Sequence, residues 1–140
     1  MEKCKNFTFE LFNVRMNKEK YAIVKKWWED RKWAVPKPSC LATTGIMIYD
    51  NKKPICAAWL YQTDSLMAVI GFLIADLETK GKVKRDAVKF LLIKLEEEAK
   101  NMGFTSIFFP IEADSVARLG IKELNYKSSL GKTNELAKVI

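Results

Sequence analysis

The alternation of apolar and polar side chains predicts a β-strand and then a helix at the start of the chain. Residues 7–12 follow the period-two pattern of a strand. Residues 21–31 instead repeat their apolar side chains at helical spacing, and Asn17 is suited to cap the start of that helix. Pro36 and Pro38 come next and end the helix, because proline interrupts its hydrogen bonding.

Three apolar stretches then follow one another with short turns between them. They cover residues 44–49, 54–61 and 66–75, and the turns are rich in Asp, Asn and Ser. Sequential strands joined by short turns form an antiparallel meander. The third stretch lacks alternation, so we expect both of its faces to be buried.

A long amphipathic helix is predicted after the third of these strands. Apolar side chains recur at steps of three and four from Val88 to Met102, and Gly103 suits the turn that ends a helix. Residues 105–110 read as the next strand. A strand, a helix and a strand in this order imply a parallel pair of strands with a right-handed crossover.

The last quarter of the chain predicts a short helix and up to two more strands. Asp114 is suited to cap the helix, residues 125–130 predict a sixth strand, and residues 136–140 predict a seventh. The whole pattern predicts a single α/β (α+β) domain over residues 1–140. We expect a mixed, mostly antiparallel sheet of six to seven strands with helices on both faces.

The composition excludes several kinds of site. The 140 residues include no histidine, which removes Ser-His and Cys-His nucleophile pairs and most transition-metal sites. Cys4, Cys40 and Cys56 lack paired spacing, so we expect neither a disulfide framework nor a metal site. No apolar run approaches the roughly 20 residues of a membrane helix, and residues 1–6 lack the apolar core of a signal peptide. We therefore expect a cytoplasmic protein.

Positive charge is concentrated where the fourth predicted strand leads into the long helix. The net charge is +7, and the basic residues of this segment are Lys80, Lys82, Lys84, Arg85 and Lys89. Unpaired N–H groups and the helix dipole also favour anions at such a terminus. Together these features predict a phosphate site, with a merely solvated basic loop as the alternative.

Three of the four tryptophans lie in or just after the first predicted helix. They are Trp27, Trp28 and Trp33. Our interpretation is a helix face packed against a sheet, and the alternative is an aromatic wall of a substrate site or a platform for stacking bases.

The order of elements resembles that of the GNAT superfamily of N-acetyltransferases. The resemblance extends from residue 7 to about residue 130, and it is strongest from the strand that ends near Ala75 to Gly103 and Phe104. Residues 43–45 and 58–65 also resemble small GNAT-like proteins encoded by bacteriophages.

The resemblance implies that acetyl-coenzyme A is a cosubstrate bound between the fourth and fifth strands. Backbone groups near Leu73 and Ile74 would then pair with the pantetheine arm. In the family, the pyrophosphate lies on a Gln/Arg-x-x-Gly-x-Gly/Ala pattern. Here that pattern falls on Val83, Lys84, Arg85, Asp86, Ala87 and Val88.

None of the three specified residues of that pattern is present in this sequence. Glycines let a backbone approach phosphates closely, and Asp86 adds a negative charge at the site. Lys82, Lys84 and Arg85 could compensate through charge-assisted hydrogen bonds. We count Asp114 with the coenzyme-binding residues, and helix capping is its alternative role.

The resemblance also implies a base that removes a proton from the acceptor amine. The family often uses a carboxylate in the fourth strand, where this sequence has Gly71. Nearby carboxylates make Asp76 and Glu112 the candidates for a general base, and the alternative for Glu112 is a solvated carboxylate at the end of a strand. The tyrosine that the family often uses as an acid is replaced by Ile121.

The resulting hypothesis is an acyl-coenzyme A-dependent N-acyltransferase that transfers an acetyl group directly to an unidentified amine. One alternative is a binding protein on the same scaffold that has lost catalysis. A second alternative, based on the charge and the tryptophans, is a basic nucleic-acid accessory protein.

Overall fold

Seven strands and three α-helices make up the described part of the chain. The structure is a computed structural model that describes residues 6–111, 114–129 and 132–140, with the backbone alone at 114, 129 and 132–134. The strands are β1 (Phe7–Phe12), β2 (Thr44–Asp50), β3 (Lys53–Tyr61), β4 (Met67–Ala75), β5 (Ser106–Pro110), β6 (Lys127–Ser129) and β7 (Lys132–Val139). The helices are α1 (Lys18–Asp30), α2 (Gly81–Asn101) and α3 (Asp114–Glu123).

The strands form one mixed sheet in the order β1-β2-β3-β4-β5-β7-β6. Neighbouring strands are antiparallel except β4 and β5, which are parallel. α2 connects this parallel pair, as the order of strand, helix and strand predicts. The predicted fold class is therefore confirmed, including its mostly antiparallel sheet.

Each face of the sheet has its own hydrophobic cluster. On the α1 face, Val24, Trp27 and Trp28 pack with Trp59 of β3, and the rings of Trp28 and Trp59 stack with centroids 5.6 Å apart. On the opposite face, Leu91 and the other apolar residues of α2 pack with β2–β5, α3 and β7. The interpretation of Trp27 and Trp28 as a packed helix face is thus confirmed, whereas Trp33 is 56% exposed.

The beginning of α2 differs from the prediction. The sequence predicts a loop from Asp76 to Arg85, which would include Lys82 and Lys84. In the structure the helix already begins at Gly81, so the loop covers only residues 76–80. Gly81 has a φ of +68°, which glycine adopts at little cost. This sharp turn lets the helix start directly after extended Lys80, without a side-chain cap.

The C-terminal strands also have different bounds from those expected. β6 begins at Lys127 instead of Asn125, and β7 starts at Lys132 instead of near Leu136. β7 pairs with β5 from Ser106↔Val139 to Pro110↔Glu135. No helix of the described residues is long and apolar enough to cross a membrane.

Candidate functional site

An opening between β4 and β5 lies near the centre of the sheet. The two strands pair at only three positions, 67–69 with 106–108, although β4 continues to Ala75 and β5 to Pro110. Within β4, Phe72 has a φ of 59°, and the register with β3 shifts between Ala57 and Trp59. This β-bulge bends β4 locally. The edges that β4 and β5 turn toward each other therefore lack ladder partners beyond Val69.

The first cavity, of about 490 Å³, occupies this opening. Its lining on the α1 side consists of Trp28, Arg31, Trp33, Ala34, Phe72 and Ile74. Its lining on the α2 side includes Leu73, Lys84, Val88, Ile111, Ser115 and Val116. Because these residues belong to the clusters on both faces of the sheet, the cavity connects the two faces.

The second cavity, also of about 490 Å³, lies between the start of α2 and α3. It shares Lys84, Val88, Ser115 and Val116 with the first cavity, so the two adjoin. Its charged lining is mostly basic and comprises Lys84, Arg85, Arg118, Lys122 and Glu123. The pair of cavities could hold an elongated anion whose narrow end enters the sheet.

The start of α2 determines which backbone amides face these cavities. In an α-helix the first four N–H groups have no partner within the helix, and later ones donate to the carbonyl four residues before. Because α2 begins at Gly81 with Lys80 as its N-cap, the Lys84 N–H donates to the Lys80 carbonyl, and the open donors are those of residues 80–83. The N–H groups of residues 84–88 donate within the helix, so residues 85–88 could contact a diphosphate only through their side chains, and their coenzyme-binding role stays a prediction. Ala87, in addition, is fully buried and lines neither cavity.

Several of the predicted basic residues already contact carboxylates. Arg85 forms an ion pair with Glu123, and Lys89 Nζ lies 3.0 Å from Glu123 Oε1. Lys82 Nζ lies 3.8 Å from Asp86 Oδ2, and Arg85 Nη1 lies 4.0 Å from Asp86 Oδ1. Their positive charge is therefore partly balanced locally.

Lys84 is the predicted basic residue that lines both cavities. No salt bridge to its amine is found among the described residues. Burial, and then the positive charge of Arg31, lower the pKa of Lys84, with smaller opposing effects from Cys56 and Asp76. The folded protein therefore disfavours the charged form of this amine, and an anion bound beside it would relieve that cost.

Asp76 lies at the end of β4, where hydrogen bonds already engage its carboxylate. Thr79 Oγ1 donates to Oδ2 over 2.9 Å, the Glu78 N–H donates to Oδ1 over 3.3 Å, and Lys53 Nζ lies 3.6 Å from Oδ2. Burial alone would raise the pKa of Asp76, but these contacts outweigh it and hold the pKa below its usual value. Asp76 does not line either cavity. Its contacts fit a residue that shapes the loop better than a general base.

The remaining predicted site residues have different positions. Leu73 and Ile74 line the first cavity, and Val88 lines both cavities. Val83 lies in the first turn of α2. Glu112 lies outside the described residues, directly after Ile111 of the cavity wall, and the side chain of Asp114 is likewise outside them. Their predicted roles stay predictions.

Arg31 is a site residue that sequence reasoning missed. It follows the last residue of α1, and its Nη1 donates to the carbonyl oxygens of Ala75 and, over 3.4 Å, Trp27. Its Cζ lies 5.4 Å from the centroid of the Trp33 ring. Burial lowers the pKa of Arg31, while the nearby carboxylates of Asp76 and Asp30 act in the opposite direction. The sequence did offer one signal for Arg31, because it continues the apolar stripe of α1 at helical spacing although it is charged.

The described residues offer no candidate metal site. No group of three or more His, Cys, Asp or Glu side chains is placed there to hold a metal ion. Cys56 is fully buried in β3, and burial raises the pKa of its thiol far above the ordinary value.

Comparison with solved structures finds the same fold in several acetyltransferases. Aminoglycoside 6'-acetyltransferase type Ii superposes with a TM-score of 0.72 at 12% identity, covering 94% of this chain and 96% of that one. PaiA N-acetyltransferase from Thermoplasma acidophilum, in complex with coenzyme A, gives 0.63 at 12% identity and covers 96% and 99%.

A third similar structure is that of a much longer protein. N-acetylglutamate synthase from Neisseria gonorrhoeae, complexed with coenzyme A and L-arginine, gives a TM-score of 0.71 at 9% identity. The match covers 99% of this chain and 34% of that one. No protein-family model matches the sequence, and no curated protein matches it. At such low identities the likeness establishes the fold, and the narrower resemblance to bacteriophage proteins stays a prediction.

Proposed function

We propose that the chain is an N-acyltransferase that uses acetyl-coenzyme A and transfers the acetyl group to an amine. The observation that carries the proposal is the opening between β4 and β5, which leads directly to the N-terminus of α2. An elongated thioester with a diphosphate at its middle matches this combination of an apolar slot and a basic helix start. Solved proteins of the same fold contain coenzyme A, which supports the proposal.

The residues of the chain fit the coenzyme in three zones. The free edge of β4 at Leu73 and Ile74 would hold the pantetheine arm through backbone hydrogen bonds. The open amides of residues 80–83 and the amine of Lys84 would bind the diphosphate. The second cavity, between α2 and α3, would accept the nucleoside end.

The chemistry needs little covalent help from the protein. A neutral amine can attack the thioester carbonyl of acetyl-coenzyme A directly, which forms the amide C–N bond, breaks the C–S bond and releases coenzyme A as the free thiol. The chain must orient the amine and accept its proton. Glu112 is our first candidate for that base, because it follows Ile111 of the cavity wall in sequence. Asp76 is the second, although its hydrogen bonds and lowered pKa favour it less.

Titration calorimetry with acetyl-coenzyme A tests the proposal directly. We expect one binding site and, with an acceptor present, release of free thiol. Ser115→Trp should block binding, because this exposed residue lines both cavities. Gln62→Trp is the matched control, since Gln62 is exposed in the turn before β4, at the opposite end of that strand. No measurable heat at millimolar acetyl-coenzyme A would remove the proposal.

A binding protein that has lost catalysis is the second candidate. It is favoured by the first cavity, whose described lining contains no carboxylate, and by the helical turn at the family's glycine positions. This candidate predicts coenzyme binding without thiol release across a broad panel of amines. The nucleic-acid alternative stays a prediction, and binding with a steep salt dependence would be its signature.

A further inference from the structure

We propose that the acceptor is an amine that also carries a carboxylate on an aromatic or other apolar body. This inference rests on the proposed function and specifies its second substrate. It concerns the end of the first cavity that opens on the α1 face of the sheet. We call this end the acceptor mouth and define it by Trp28, Arg31, Trp33 and Phe72.

Charge selects an acidic acceptor over a polycationic one. The charged side chains in the described lining of the first cavity are Arg31 and Lys84, and both are positive. Lys84 lies on the side where the coenzyme would bind, which leaves Arg31 as the charge of the acceptor mouth. An acceptor with several ammonium groups would be repelled here, whereas a carboxylate would be attracted.

Arg31 is held in place by its surroundings. Nη1 donates to two backbone carbonyls, those of Trp27 and Ala75, and the guanidinium lies over the Trp33 ring. In the described part of the chain, its Nε and Nη2 groups have no hydrogen bond. A guanidinium presents paired N–H donors that match the two oxygens of a carboxylate. An anchored fork of this kind binds such a group with little loss of side-chain freedom.

The two carboxylates whose charge acts on Arg31, those of Asp30 and Asp76, are engaged elsewhere. Asp30 Oδ2 accepts from Lys26 Nζ at 2.7 Å. Asp76 accepts from Thr79 and the Glu78 backbone, as described above. Neither forms a salt bridge with Arg31 among the described residues. The guanidinium therefore retains an attraction for an anion that enters the cavity.

Aromatic surface surrounds this charge. Trp33 is 56% exposed and Phe72 is 47% exposed, and the Phe72 ring contacts Trp28 edge-on with centroids 6.5 Å apart. The backbone N–H of Trp33 donates to the backbone carbonyl of Trp28 at 3.0 Å, which fixes the backbone of the acceptor mouth. Exposed rings held on a firm backbone suit an apolar part of a ligand. The same acceptor should therefore combine a carboxylate with an apolar side chain.

Matched acids and amides test the inference on the unaltered protein. L-phenylalanine and L-tryptophan are each compared with their carboxamides by calorimetry at saturating coenzyme A. In each pair the ring is the same and a neutral carboxamide replaces the carboxylate, and the titrations are run at a pH low enough that both α-amines are protonated. We expect the acids to bind about tenfold tighter or more. Equal affinities, tighter binding of the amides, or binding of neither member would overturn the inference.

Variants assign the preference to Arg31. Arg31→Gln should reduce the acid-to-amide ratio to about one, and Arg31→Lys should keep part of it. Lys32→Gln is the control. Lys32 is the next residue, is exposed and does not line the cavity, and its substitution removes an equal charge. A preference that survives in Arg31→Gln overturns the role of Arg31. If that variant fails to fold in thermal melts, the acid–amide comparison on the unaltered protein still decides.

The two proposals fail in distinguishable ways. Acetyl-coenzyme A binding is measured separately, without any acceptor, and its absence refutes the transferase while the acid–amide comparison on the free protein still tests the mouth. Coenzyme binding together with equal acid and amide affinities refutes only the acceptor class.

Discussion

Replacing Lys84 with methionine should raise stability and weaken coenzyme binding at the same time. The amine of Lys84 lines both cavities, and its pKa is lowered by burial and then by the charge of Arg31. Because the folded protein disfavours the charged form, the charge opposes folding at neutral pH. Lys84→Met keeps a long apolar stem and removes that charge, so the melting temperature should increase.

The loss of affinity follows from the contact that Lys84 would make with the diphosphate. A hydrogen bond to a charged group contributes about 1.5–3 kcal/mol. Losing it should weaken acetyl-coenzyme A binding about 10- to 150-fold. Lys82→Met removes the same charge from a residue that lies 3.8 Å from Asp86 and is more exposed. Contributions of exposed charges are about 0–1 kcal/mol, so this control should lose at most about fivefold.

Calorimetry and thermal melting on the three proteins provide the measurement. Opposite signs for stability and affinity in Lys84→Met separate a lost contact from general unfolding. If Lys84→Met binds acetyl-coenzyme A as well as Lys82→Met does, Lys84 does not hold the diphosphate. If Lys84→Met melts at a lower temperature, the account of its environment is wrong.

Three further substitutions test the site and the core. Asp86→Asn should tighten acetyl-coenzyme A binding about three- to tenfold by removing a negative charge from the start of α2, and unchanged calorimetric affinity would contradict this. Gly45→Ala should lower the free energy of unfolding in urea by about 1–3 kcal/mol, because its Cβ would lie 2.7 Å from Trp59 Nε1; a change below about 0.5 kcal/mol would indicate looser packing. Tyr126→Phe should leave that free energy unchanged or raise it by up to about 1 kcal/mol, because the buried hydroxyl has no hydrogen-bond partner among the described residues. If Tyr126→Phe instead lowers the free energy of unfolding by about 1 kcal/mol, the hydroxyl has a hydrogen-bond partner.

The interior of each long element could be predicted because its pattern is local. The meander strands and the apolar stripe of α2 lie where the periodicity places them. Asn17 caps α1 as predicted, and its side chain accepts from the Lys20 N–H at 3.1 Å. Gly103, with a φ of +94°, lies in the turn after α2. Such signals depend on residues a few positions apart, so the sequence displays them directly.

Element ends that depend on distant partners could not be read in the same way. β7 begins with polar residues, and its length is determined by pairing with β5 and β6. The first turn of α2 precedes the apolar stripe, so periodicity gave no reason to begin the helix at Gly81. The positive φ of Gly81 could not be predicted either, because a glycine can adopt such a φ but does not have to.

Some features of the site could be predicted from local sequence, and others depend on tertiary contacts. Lys84 could be chosen from the basic segment, but its advantage over Lys82 and Arg85 comes from cavities built by α3 and β4. Arg31 is 44 positions from Ala75, whose carbonyl it binds, so no local pattern could join them. The bulge at Phe72, which opens the sheet, likewise depends on its register against β3.

The early start of α2 changes how a phosphate would be recognised. Backbone amides keep their protons at every physiological pH, whereas the amine of Lys84 titrates, and its pKa is lowered in the free protein. A bound diphosphate raises that pKa again, so near the pKa of Lys84 coenzyme binding should take up protons, and affinity should fall as pH rises through that pKa. Calorimetry in buffers of different ionisation enthalpy measures the uptake, and Lys84→Met is the control that should lack it. If Lys84→Met and the unaltered protein take up the same number of protons, Lys84 does not contribute to the uptake. Side-chain recognition by Lys84 therefore predicts a pH dependence that a glycine-rich loop would not produce.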